Sequence, residues 1–192
     1  MKRRTLPILF CLLAVAAWFP SPPAAAQGGR LYIDGTVVGI NRRVSTSRPF
    51  RVIINRYATE GDIRTLNDAL QSGGQDELLD ALRRMRDGRI SVGNNVGVEA
   101  NAIIRTPTAE GGTRIQVIFE RNLNLYELRY GTRSQDYRFG YAEIFLDRRG
   151  RGEGTFIPAA QVRLRNGTWE VEDFGTFPAR ILNARMSGGG RF

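Results

Sequence analysis

The side chains that do most protein chemistry are almost missing from this chain. It has no histidine, its one cysteine is Cys11 and its one lysine is Lys2. Beyond residue 26 nothing can act as a thiolate, form a Schiff base, assist a serine with imidazole or build a His- or Cys-ligated metal site. Carboxylates and arginines remain. Two suitably spaced acids are enough for glycoside hydrolysis, and Glu99, Glu120 and Glu143 all lie in stretches that alternate apolar and polar residues as strands do. Glu143 shares a strand face with Tyr137, Phe139, Tyr141 and Phe145, and a carboxylate among rings is open to a raised pKa. The competing expectation is that such an acid pairs with one of the many arginines. No catalytic residue is assigned, and no cofactor or metal is expected.

Asp147-Arg148-Arg149-Gly150-Arg151-Gly152-Glu153 has the outline of a calcium loop, but arginines stand where alternate oxygen ligands are needed. It reads as a hairpin turn with a charged rim. The densest mixture of arginine and aromatic residues is Arg129 to Arg138. Arginine offers paired donors to phosphate or carboxylate, and tyrosine adds a stacking face and a hydroxyl. Arg129, Arg133, Asp136, Tyr137 and Arg138 are therefore the candidate contact residues. The alternative is a solvated connection whose aspartate pairs internally.

The elements that would position these groups follow from periodicity. Residues 30–40 and 50–57 read as strands. Thr59 with Asp62 three positions on forms a capping-box start, and Ile63, Leu66 and Leu70 follow at helical spacing. Ser72-Gly73-Gly74 stops that helix. A second runs from Asp76 with Leu78, Leu79, Leu82 and Met85 on its buried face, Arg83, Arg84 and Arg86 in its last turn, and Gly88 at its end. Alternation resumes over 96–105, 114–120, 137–146, 154–165, 168–174 and 179–186. Asn166-Gly167 is the strongest turn signal, since both residues tolerate the positive φ of a type I′ hairpin.

The N-terminus reads as an export signal. Met1-Lys2-Arg3-Arg4 is basic, an apolar run extends from Leu6 to Phe19, and Ala24-Ala25-Ala26 offers small residues for cleavage. The run is short for a transmembrane span, and Pro20, Pro22 and Pro23 end it. Cleavage after residue 26 would leave 166 of the 192 residues, with no cysteine and no lysine. Lys2, Arg3 and Arg4 leave with the signal, so 25 arginines face 19 acids in the remainder. An exported protein with that surplus can meet anionic lipid headgroups or acidic polysaccharide, while nucleic acid is not an expected partner.

Six stretches taken together carry a resemblance. They are Arg56-Tyr57-Ala58-Thr59-Glu60, Gly73-Gly74-Gln75-Asp76-Glu77-Leu78-Leu79, Gly88-Arg89-Ile90, Ser134-Gln135-Asp136-Tyr137, Gly152-Glu153-Gly154 with Pro158-Ala159-Ala160, and Pro178 to Arg185. In this order the chain resembles a family of uncharacterised exported bacterial proteins that has no assigned activity, cofactor or catalytic residues. Similar proteins carry more acid where Arg148 to Arg151 stand here, so an ion-binding role for that turn does not carry over.

These readings add up to a signal peptide (1–26), one β-rich domain (27–186) and a glycine-rich tail (187–192). The expected fold is α+β: about eight antiparallel strands in a barrel or barrel-like sheet, with a helical hairpin at 59–88 packed on it. The expected function is non-enzymatic binding of a small amphiphile in the barrel, or of an anionic envelope component by arginines. A solid-cored protein acting through its surface is the alternative, and a carboxylate-dependent hydrolase a third reading. Partners are otherwise open, oligomeric state included, with no transmembrane segment expected after the signal.

Overall fold

A computed structural model describes residues 30–39, 47–121, 136–165, 168–173 and 178–188. In chain order the elements are β1 (Leu31–Val38), β2 (Ser47–Ile54), α1 (Glu60–Leu82), β3 (Gly88–Val92), β4 (Val98–Ala100), β5 (Ala102–Pro107), β6 (Thr113–Glu120), β7 (Phe139–Leu146), β8 (Arg151–Arg165), β9 (Thr168–Asp173) and β10 (Ala179–Gly188). The fold is mainly antiparallel β-sheet with one helical segment. The strands pair in the order β4-β3-β2-β1-β10-β8-β7-β6-β5, and β9 pairs with β8 from Ala160 to Arg165.

The ladder is not closed into a barrel. β4 and β5 are consecutive in sequence yet stand at its two ends, with Asn101 between them. The amide of Asn101 donates to the carbonyl of Leu82 at 3.1 Å, and its Oδ1 accepts from the backbone N–H of Glu120 at 2.8 Å. A buried side chain between β4 and β5 thus satisfies a carbonyl at the end of α1 and an N–H at the end of β6. The alternation over 96–105, expected to be one strand, is two. A further strand, β3, occupies Gly88 to Val92, where only a helix end was expected, so the described residues form ten strands where about eight were expected.

Two-residue alternation sorts the core into two layers. Ile115, Val117 and Phe119 of β6 join Ile33, Val37, Val52, Ile90, Ile103, Ala142, Ile144 and Ile181 in one cluster on the inner face. The outward residues of β6 to β8, among them Ile118, Phe139, Tyr141, Ile157 and Val162, meet Leu66, Leu70, Leu78, Leu79 and Leu82 of α1. The helix therefore covers the β5–β9 half of the sheet and leaves the outer face of β1 to β4 without it.

The capping box forms as the sequence indicates. Thr59 Oγ1 accepts from the N–H of Asp62 at 3.1 Å, and the Asp62 carboxylate accepts from the N–H of Thr59 at 2.9 Å. The two expected helices form one continuous segment and meet at Gly74, whose φ of 70° and ψ of −137° leave the helical region. It ends at Leu82, so Arg83, Arg84 and Arg86 follow the helix rather than fill its last turn. Gln75, directly after the break, donates to the carbonyl of Val162 and accepts from its N–H at 3.2 Å. Pairing of β8 with β7 ends at Ala160. The Gln75 amide thus occupies the strand edge that would otherwise be bare. Asn166-Gly167 lies outside the described residues, and Arg165 opposite Thr168 is the last pair before it. β10 runs through Ser187 and Gly188, two residues into the expected tail.

Candidate functional site

The described residues hold a predominantly apolar cleft. It has a volume of about 400 Å³ and lies between the β3–β4 turn and the inner-face rings of Phe119 and Phe156. Ile90, Val92 and Val98 line it from the hairpin, and Val96 at its rim is 86% exposed. Phe119 stacks on Phe156 at 6.3 Å between centroids, and Phe156 meets Phe50 edge-on at 6.4 Å, so the two rings of the floor belong to a three-ring cluster. Its polar lining consists of Ser91, Asn95 and backbone, with no charged side chain.

Two glycines shape this cleft. Gly97 adopts φ +82°, and a Cβ there would strike the carbonyl of Ile90, so the hairpin closes only with glycine. Gly140 pairs with Phe119 across β6 and β7, and a Cβ on it would clash with the Phe119 ring. Its bare backbone is the space into which that ring folds.

The predicted contact loop is only partly described: Arg129 and Arg133 lie outside the described residues. Asp136, Tyr137 and Arg138 are held in the fold. The Tyr137 hydroxyl donates to Glu172 at 3.3 Å, and its carbonyl accepts from Arg121 at 2.9 Å. Arg138 pairs with Asp76 at 3.2 Å. The carbonyl of Asp136 accepts from Gln161 at 3.1 Å. These contacts tie the start of β7 to α1, β8 and β9, and none of the three residues lines a described cleft.

The three candidate acids are not brought together. Glu99 faces Arg86 at 3.6 Å, Glu120 binds Arg83 at 2.7 Å, and Glu143 is in direct contact with Arg114. Glu143 also accepts from Tyr141 at 3.1 Å, and Tyr141 accepts from Gln116 at 2.9 Å. Burial pushes the Tyr141 hydroxyl up to about 12. The aromatic face around Glu143 therefore contains a saturated ion pair, and none of the three acids lines a described cleft.

A buried carboxylate escaped the sequence reading. Asp87 has no exposed surface. One oxygen accepts from the N–H of Ile103 at 3.0 Å, and the other lies 2.8 Å from the Arg56 guanidinium without a well-aligned hydrogen bond. Burial raises its pKa. Arg56 also holds Asp62, whose pKa that bond lowers to about 2. The carbonyl of Asp87 accepts from Asn55 at 2.8 Å. The group fastens the end of β2 to the starts of α1, β3 and β5, which is a structural task. Nothing in the local sequence Arg86-Asp87-Gly88 signals it, because the partners arrive from distant strands.

Comparison with family models, with curated proteins and with solved structures yields no match. The functional reading rests on the chain's own residues. No helix among the described residues is long and apolar enough to cross a membrane, and they contain no cluster of acids, histidines and cysteines suited to a metal ion.

Proposed function

We propose that this chain is an exported, non-enzymatic binding protein that holds the apolar part of a small amphiphile at the rim of a barrel-like sheet. The observation that carries the reading is the cleft of about 400 Å³ between the β3–β4 turn and the Phe119–Phe156 stack, which has no charged lining residue. Burying an acyl or aryl group there releases water from aromatic and branched side chains at about 25 cal/mol per Å². Small-ligand sites are typically concave, mostly apolar and provided with a few polar groups. Arg48 packs beside Gly93, and Arg89 donates to the carbonyl of Gly97 at 3.3 Å, so positive charge flanks the hairpin. An anionic headgroup on the ligand fits that surround.

The ligand sits at the rim and not in the lumen. Ile33, Val37, Val52, Ile103, Ile115, Val117, Ala142, Ile144 and Ile181 have no exposed surface. One cluster gathers side chains from β3 and β4 together with β5 and β6, although these pairs stand at opposite ends of the ladder, which supports a sheet curled on itself. The same filled interior favours a second reading, a solid-cored protein that works through its surface.

The two part on one titration. An environment-sensitive naphthylamine probe should brighten and saturate with the wild-type protein, and Val96→Asp should weaken that binding by about tenfold with the fold intact. No saturable response in the wild type would leave the surface reading in its place.

A further inference from the structure

The end of β6 opposite to Phe119 carries a different cleft, of about 320 Å³, between the β5–β6 turn at 108–112 and the β7–β8 turn at 147–150. Arg105 and Arg148 flank it, Thr113 contributes a hydroxyl, and Leu146 and Met186 form an apolar floor. Neither arginine has a carboxylate partner among the described residues. Arg105 lies over the Tyr57 ring at 5.7 Å. The guanidinium of Arg148 rests on Gly111, where a Cβ would stand 2.6 Å from Nε.

The cleft's one acid is committed to the turn. Asp147 Oδ1 accepts from the N–H groups of Arg151 at 2.9 Å and Arg149 at 2.8 Å, which hold its carboxyl below the usual range. It stays ionised at neutral pH beside Arg149 and Arg151, and Arg105 and Arg148 are the lining cations that no ion pair engages among the described residues. Arg149 and Arg151 line a neighbouring cleft that Arg148 shares, together with Glu110 and Glu153. Arg151 also stands opposite Arg185 across β8 and β10, a like-charge pair that costs stability.

From this geometry we propose that the cleft between the two turns is a phosphate-binding site, with Arg105 and Arg148 as its clamp. Two guanidiniums present paired N–H donors to the oxygens of a phosphate monoester, whose charge at neutral pH matches theirs. The Leu146–Met186 floor suits an organic body attached to that group. The site stands apart from the apolar cleft and does not depend on it.

The test follows the amide resonances of Gly111 and Gly150 in the purified protein while inorganic phosphate is added. A parallel arm measures sedimentation with phosphatidylcholine vesicles with and without phosphatidic acid. Saturable shifts at both glycines, weakened by about tenfold or more in the Arg105→Gln/Arg148→Gln double variant, support the site. Arg163→Gln/Arg165→Gln removes the same charge from pairs with Glu172 and Glu170 elsewhere and should leave the shifts unchanged. Co-sedimentation only with phosphatidic acid identifies a lipid source, and shifts without co-sedimentation a soluble phosphate ester. No saturable shift, or an equal loss in both double variants, overturns the proposal.

Discussion

The two ends of β6 are built by opposite means. At the Phe119 end the cleft is an extension of the core: Phe119 and Phe156 are each 7% exposed and belong to the same cluster as Ile33 and Ile144. At the Thr113 end the cleft is a property of turns. Arg148 stands on a surface turn that one aspartate closes, Arg105 stands near the end of β5, and only Leu146 and Met186 connect the cleft to the core. Binding and stability should therefore be coupled at the first end and separable at the second.

The largest expected effect tests that coupling at the apolar end. Phe156→Ala removes a floor ring that is also the centre of the three-ring cluster, and urea unfolding should show a loss of about 3–5 kcal/mol, together with loss of probe binding. A loss under about 1 kcal/mol would place the ring outside the cooperative core. Gly140→Ala sharpens the point without removing any atom. Displacement of the Phe119 ring should lower probe affinity by about threefold to tenfold, with a smaller stability change than Phe156→Ala. Unchanged affinity would mean that the ring does not form the site.

At the other end the prediction is a null in stability. Arg105→Gln/Arg148→Gln should leave the unfolding free energy from urea titration within about 0.5 kcal/mol of wild type, because neither side chain has an ion-pair partner to lose among the described residues. A larger loss would tie the cationic end into the fold. The smallest effect concerns the turn itself. The folded-state pKa of Asp147 is lowered from 3.8, so its contribution is present above pH 3.8 and lost as pH falls through the folded value. Amide exchange at Arg149 and Arg151 should accelerate below pH 3.8 relative to flanking β8 amides, and Asp147→Ala should show that acceleration already at neutral pH.

The same contrast explains what could be read in the sequence. The inner-face pattern of β6 and β7, the Thr59–Asp62 cap and the buried leucines of α1 are periodic, and periodicity is a local signal. β3 was hidden because Arg89-Ile90-Ser91-Val92 is too short to show a period and follows directly on helical residues. The break at Asn101 was hidden because alternation runs straight through it, and what ends β4 is a set of bonds to Leu82 and Glu120, far away in sequence. The contact loop 129–138 was chosen for composition. Its described residues, Asp136, Tyr137 and Arg138, bond to β8, β9 and α1. The apolar cleft combines Ile90, Val98, Phe119 and Phe156 from four strands, a juxtaposition that only register creates. The arginine cleft was half visible: Arg148 stood out in the turn that starts at Asp147, but its meeting with Arg105 of β5 is created only by the fold.

The most direct test of the central claim is native mass spectrometry of the chain after expression with its N-terminal segment in a Gram-negative host and recovery from the periplasm. The account predicts a mass beginning at Gln27, accompanied by a stoichiometric small-molecule adduct that the Val96→Asp variant retains poorly. A clean unliganded mass, together with no uptake of added amphiphile, would contradict ligand carriage and leave a filled sheet acting through its surface.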